Sequence, residues 1–132
     1  MPAALTLYQY PGLRPNATLS PPCGKVHMAL AFKGLPYEVV DLRSPFAVRR
    51  RNPRGRVPVL AIGHELVVDS TDILTALDTH FPDTPLLPEG ARERARALLW
   101  EDWADEVLYF YVAYLRWHTE AGYRRVRTHG FP

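Results

Sequence analysis

The chain has 132 residues, 47% hydrophobic and 23% charged, which excludes a disordered segment and fits about one folded domain with a real core. Its 16 basic and 14 acidic residues leave a net charge of +2, too balanced to argue for nucleic acid or a membrane surface as partner. The lone Cys23 excludes an internal disulfide framework and fits a reducing, cytoplasmic setting. Met1 to Tyr10 lacks a basic start before an apolar run, so no secretory signal is expected. The longest apolar run, Val107 to Leu115, is too short for a membrane span.

Twelve of the 13 prolines lie at or before Pro88, so the first part should be mixed and punctuated and the second helical. Leu5 to Tyr10 alternates and is rich in strand formers, predicting a first strand. Pro11 to Leu19 reads as a loop. Ser20-Pro21 is a helix-start signal, with Ser as N-cap and Pro at the first helical position. That helix should run to Lys33 and stop at Gly34, with Val26, Ala29, Leu30 and Phe32 facing the core. Tyr37 to Leu42 predicts a second strand, parallel to the first through a right-handed crossover. Ser44-Pro45 starts a short helix that must end by Asn52, before Pro53. Val57 to Ile62 and Glu65 to Asp69 predict a hairpin turning at Gly63-His64. Ser70 is expected to cap a helix from Thr71 to about His80, with Ile73, Leu74, Leu77 and Phe81 as core contacts. Pro82 to Pro88 reads as an extended linker.

The order β-α-β-α-β-β-α is that of the thioredoxin-like fold, an α/β class. Three motifs narrow it. Ser20-Pro21-Pro22-Cys23 stands at the helix start where redox members carry two cysteines. Asn52-Pro53-Arg54-Gly55-Arg56-Val57-Pro58-Val59-Leu60 is similar to the segment that holds a cis-proline. Asp69-Ser70, followed by Thr71 to Leu74, is similar to an acid-serine motif that opens the third helix. Together, residues 5 to 88 resemble the N-terminal domain of a glutathione S-transferase. The resemblance implies residues 1–81 as a thioredoxin-like glutathione-binding domain, 82–88 as linker and 89–132 as the start of a truncated helical domain.

The resemblance also implies a chemistry: a glutathione thiolate attacks an electrophile. A helix N-terminus offers unpaired N–H groups and partial positive charge. Ser20 there could donate a hydrogen bond that lowers the thiol pKa, or it could be an N-cap alone. Tyr10, at the end of the first strand, is the second candidate for thiol activation; Tyr8 reads as packing. Cys23 is a further alternative, but the position three before it is Ser20, so dithiol exchange is absent, and an inward cysteine usually acts as a small hydrophobe. Val57, ahead of the cis Pro58 that the resemblance implies, would pair its backbone with the cysteinyl part of the tripeptide. The plain alternative is a trans proline on an edge strand. Asp69 and Ser70 would hold the γ-glutamyl end at a second helix start, or serve as a cap. One of Arg49, Arg50, Arg51, Arg54 and Arg56 would meet the glycine carboxylate, the rest forming a solvated basic face. The five histidines show no paired ligand spacing, so no metal is expected.

The second part departs from the family, whose helical domain is normally far longer. One long helix is expected from about Glu89 to Arg125. Between Leu98 and Trp117 only Glu101, Asp102, Asp105, Glu106 and Arg116 are charged, and seven aromatic residues fall there. A helix apolar most of the way round belongs inside something. Either later helices of a longer transferase cover it, or a second copy does, giving a homodimer through residues 98–117. The leading alternative to a transferase is a non-catalytic thioredoxin-fold module that associates through this helix.

Overall fold

The strand-forming alternation of the first residues sets the centre of the sheet. In a computed structural model describing residues 4–128, the strands are β1 (Leu5–Gln9), β2 (Glu38–Asp41), β3 (Val59–Ile62) and β4 (Glu65–Val68). They form one sheet in the order β2-β1-β3-β4. β1 pairs parallel with β2 and antiparallel with β3, and β3 pairs antiparallel with β4. Helices α1 (Pro21–Phe32), α2 (Pro45–Arg51) and α3 (Ser70–His80) complete this thioredoxin-like α/β unit. The described residues fall into two compact units, one ending at Leu86 and the other beginning at Leu87.

Leu5, Leu7 and Gln9 face inward on β1 while Thr6 and Tyr8 are half-buried, as the period of two requires. Leu5, Leu7, Leu60 and Ile62 meet Val26, Ala29 and Leu30 of α1 and Ile73 and Leu77 of α3 in one core. Full burial of such a side chain contributes about 1.5–3 kcal/mol, so this layer is what holds α1 and α3, and hence their N-termini, in place. Phe32, expected in the core, is 64% exposed, because the inward face of α1 is already filled by Val26, Ala29 and Leu30.

Strand ends are shorter than the propensities predict. β3 begins at Val59 rather than Val57, since Pro58 has no N–H to give a ladder. α1 ends as expected: Gly34 takes φ 66°, and Leu35 N–H bonds Leu30 C=O at 3.1 Å, the closure that a left-handed glycine permits. α3 is capped by Asp69 rather than Ser70; its carboxylate accepts from Thr71 N–H at 2.9 Å. Ser70 is thereby the first helical residue, and buried.

Lys33, at the end of α1, has a side chain only 1% exposed and reaches the Asp78 carboxylate at 2.7 Å. It also donates to Phe81 C=O at 2.8 Å and Thr84 C=O at 2.7 Å. Asp78 in turn accepts from Leu86 N–H at 2.9 Å. The segment expected as an extended linker is thus tied to the first unit as far as Leu86.

The second unit is not one helix. α4 (Ala91–Trp103) passes through a π-helical stretch at Ala104–Leu108 into α5 (Tyr109–Trp117), and α6 (Glu120–Thr128) follows a break. The break has a side-chain cause. The Thr119 hydroxyl donates to Leu115 C=O at 2.6 Å and accepts from Gly122 N–H at 3.1 Å, replacing backbone helix bonds and capping the next helix. Gly122 makes this possible, because a Cβ there would stand 2.0 Å from Leu115 C=O. No residue of these helices is buried. Leu99, Tyr111 and Leu115 are exposed by 60% or more. Among the described residues no helix is long and apolar enough to cross a membrane.

Candidate functional site

Strand register brings the singled-out segments to one end of the sheet. Tyr8 pairs with Val59, and Val59 with Val68. Tyr10 just past β1, Val57-Pro58 just before β3 and Asp69-Ser70 just past β4 therefore lie at the same end, where α1 and α3 also begin. Lys25 Nζ on α1 donates to Thr71 Oγ1 on α3 at 3.1 Å, joining the two helix starts. The Val57-Pro58 peptide is cis. Val57 is half-buried and Pro58 buried. Asp69 holds φ 77°, a conformation that costs a non-glycine residue of order 1–3 kcal/mol. Both helix starts thus direct N–H groups to one sheet end, a favourable place for an anion.

Ser20 occupies the N-cap of α1 with extended backbone, and its side chain makes no cap bond. The residue is 9% exposed, and its side chain is one of the groups that act on the Cys23 thiol. Cys23 is fully buried. Burial pushes its thiol pKa up, against smaller opposing effects from Ser20, the Tyr10 backbone and the Thr18 hydroxyl. A thiol held neutral is a poor nucleophile. Tyr10 is half-buried. Tyr8 turns to the other face of the sheet, where Arg51 lies 4.1 Å over its ring and donates to its hydroxyl at 2.9 Å.

The basic run divides by position. Arg50 lies over Phe46, and Arg51 is engaged with Tyr8. Arg54 and Arg56 are exposed in the loop that leads to Val57. Asn52, read from sequence as a helix limit and as the start of the cis-proline segment, shapes that loop. It is 4% exposed, its amide donates to Arg56 C=O at 3.0 Å, and its side-chain oxygen accepts from Arg54 N–H at 3.0 Å. Gly55 completes the turn at φ 69°.

A second group that sequence reasoning missed centres on Gln9. Gln9 is fully buried. Its Nε2 donates to Ala17 C=O at 2.9 Å and to Asp41 Oδ1 at 3.1 Å. Its Oε1 stands 2.6 Å from His27 Nε2, and His27 Nδ1 stands 2.6 Å from the Tyr37 hydroxyl. Since Oε1 can only accept, Nε2 carries the imidazole proton and Nδ1 accepts from Tyr37. Burial lowers the His27 pKa and raises that of Tyr37, keeping both neutral. The signal was available: Gln9 is the third inward position of Leu5, Leu7 and Gln9. Among the described residues no group of three His, Cys, Asp or Glu could hold a metal ion.

A domain of this order, with two helix starts and a cis-proline segment at one sheet end, matches known proteins. The family described as "Glutathione S-transferase, N-terminal domain" matches residues 15–85, more than half of the chain. The chain belongs to the glutathione S-transferase family. Similar curated proteins include Glutathione S-transferase U3 of Arabidopsis thaliana, 32% identical over 92 residues, which cover 66% of this chain and 41% of that protein. Glutathione S-transferase Z1 of the same plant is 38% identical over 79 residues, 54% of this chain and 35% of that one. Among solved structures, a glutathione S-transferase from Methylobacterium radiotolerans, in complex with glutathione sulfonate, matches with TM-score 0.73 and 33% identity. That match covers 90% of this chain and 56% of the other. The chain therefore spans well under two thirds of the length of these relatives.

Proposed function

We propose that the first unit binds glutathione and holds its thiol for attack on an electrophile. The observation that carries this reading is the meeting of three segments at one sheet end in a chain of this family: the α1 start, Val57-Pro58 and Asp69-Ser70. In this reading the backbone of Val57 pairs with the cysteinyl unit, Pro58 shapes that rung, and Asp69 and Ser70 hold the γ-glutamyl end. Arg54 or Arg56 meets the glycine carboxylate. Ser20 stabilises the thiolate by donating its hydroxyl proton to the sulfur of glutathione in a charge-assisted hydrogen bond. The thiol proton leaves to water, and the sulfur lone pair forms the new bond to the electrophilic carbon as that carbon's π pair moves onto its electron-withdrawing group or its bond to a leaving group breaks, the pair departing with that group. Tyr10 is the second candidate for this role. The neutral, buried Cys23 thiol favours Ser20 over Cys23. The setting proposed is the cytoplasm, with glutathione as substrate and no metal.

Calorimetry tests the binding. A dissociation constant on the order of a millimolar or tighter, about −4 kcal/mol or better, is expected, and Ser70→Ala should weaken it. Absence of heat and of competition at millimolar glutathione would reject the reading. With a generic aromatic electrophile, conjugation should be low, and Ser20→Ala should reduce it more than Cys23→Ala; the reverse order moves the chemistry to Cys23.

A second reading rests on a different observation, the exposed apolar surface of α4 and α5. In it, residues 98–117 associate two copies in a homodimer and the chain turns nothing over. It gains if glutathione fails to bind while the chain is dimeric.

A further inference from the structure

We propose that Gln9 is a positioning residue for the glutathione site, holding through its carboxamide the loop that presents Ser20. The inference rests on the glutathione reading above. The loop between β1 and α1 returns on itself. Thr18 Oγ1 donates to Tyr10 C=O at 2.9 Å and accepts from Ser20 N–H at 3.1 Å. A second side-chain tie in its far half is Gln9 Nε2 to Ala17 C=O at 2.9 Å. Gly12 packs on the same stretch, where a Cβ would stand 2.6 Å from the Ala17 carbonyl carbon. Ala17 is thus bonded by Gln9 and packed by Gly12, and Ser20 follows three residues on.

The grip has a defined direction. Both amide protons of Gln9 and its oxygen are engaged, so a flipped amide would set N–H against the His27 N–H and an oxygen against two acceptors. His27 fixes the amide orientation, and Tyr37 fixes the imidazole in turn. The charged and titratable groups facing this chain of bonds are His27, Tyr37 and Asp41, the last with Arg43 at 4.0 Å. A methionine at position 9 would fill the same space and leave Ala17 C=O without its donor. The loop would then lose its tie to the sheet at Ala17, and Ser20 would sample positions that miss the sulfur.

The test compares the full chain with Gln9→Met and with Ile62→Ala, a core truncation at the opposite end of β3. Glutathione affinity is read by calorimetry and the amides of residues 17–20 by hydrogen exchange. Gln9→Met should weaken binding about tenfold and speed exchange at those amides. Ile62→Ala should lower stability without either effect. If wild type binds and Gln9→Met binds within twofold of it, or if Ile62→Ala weakens binding equally, the positioning role is wrong and the glutathione reading stands. If wild type itself shows no binding, the glutathione reading fails and the inference falls with it. Should Gln9→Met not fold, His27→Gln supplies the same comparison: about threefold weaker binding with faster exchange is expected, and no change overturns the proposal.

Discussion

His27 sits where a charge is unwelcome, and the sign of the consequence follows. Its folded-state pKa is depressed below the ordinary 6.5 by burial, so protonation favours the unfolded chain. The stability this group contributes is complete above about pH 6.5 and is lost as the pH falls. Chemical denaturation between pH 7 and pH 5 should show a steeper decline for wild type than for His27→Gln. Equal slopes would count against a half-buried neutral imidazole. Tyr37 works in the other direction: its raised pKa leaves stability intact below about pH 10, with loss only above it. Cys23 gives a simpler check at the same scale. Its buried, neutral thiol should resist iodoacetamide in the folded protein and react readily in denaturant; rapid alkylation of the native chain would contradict both its burial and its raised pKa.

Among the elements, α1 and α3 were readable from sequence because their start signals are local. Ser20-Pro21 marks one helix within two residues, and Asp69-Ser70 the other. The same locality limits what such signals resolve. Asp69 and Ser70 are both good caps, and only the turn out of β4, with Asp69 at φ 77°, decides between them. Gln9, Asn52 and Lys33 carry much of the organisation and left almost no local trace. Apart from Ala17, the side-chain partners of Gln9 and Lys33 lie 18 to 51 residues away, and no periodicity encodes a pairing of that kind. The break between α5 and α6 was missed for a related reason: no proline stands there, and a threonine's ability to take over backbone bonds depends on rotamer. Gly122→Ala tests that joint. With Leu115 C=O only 2.0 Å from the added carbon, α6 must shift, and thermal denaturation followed by circular dichroism should show lost helicity. Unchanged helicity and melting would mean the two helices meet less closely.

For the whole molecule, the exposed aromatic helices predict association. Removing several hundred Å² of apolar surface from water gains several kcal/mol at roughly 25 cal/mol per Å², and soluble monomers rarely leave such patches open. Light scattering should report a dimer, and Tyr111→Glu with Leu115→Lys should split or aggregate it; a monodisperse monomer near 15 kDa with ordered helices would refute the idea. Lys33 bears on how the chain divides. Its buried ammonium holds Asp78, Phe81 and Thr84, so Lys33→Met, which takes the cation from the Asp78 carboxylate and leaves it only neutral partners such as Leu86 N–H, should cost about 3 kcal/mol in urea denaturation; a loss under 1 kcal/mol would show the clamp to be idle. The clamp also redraws the protease map of the polypeptide. Pro82 to Leu86 has the composition of a spacer yet is fastened down, so a broad-specificity protease should spare it and open the chain first in the short stretch from Leu87 to Gly90. Unclamping by Lys33→Met should move the first nick back toward Pro82. A residue at the end of the first helix therefore sets where one folded piece can be cut from the next.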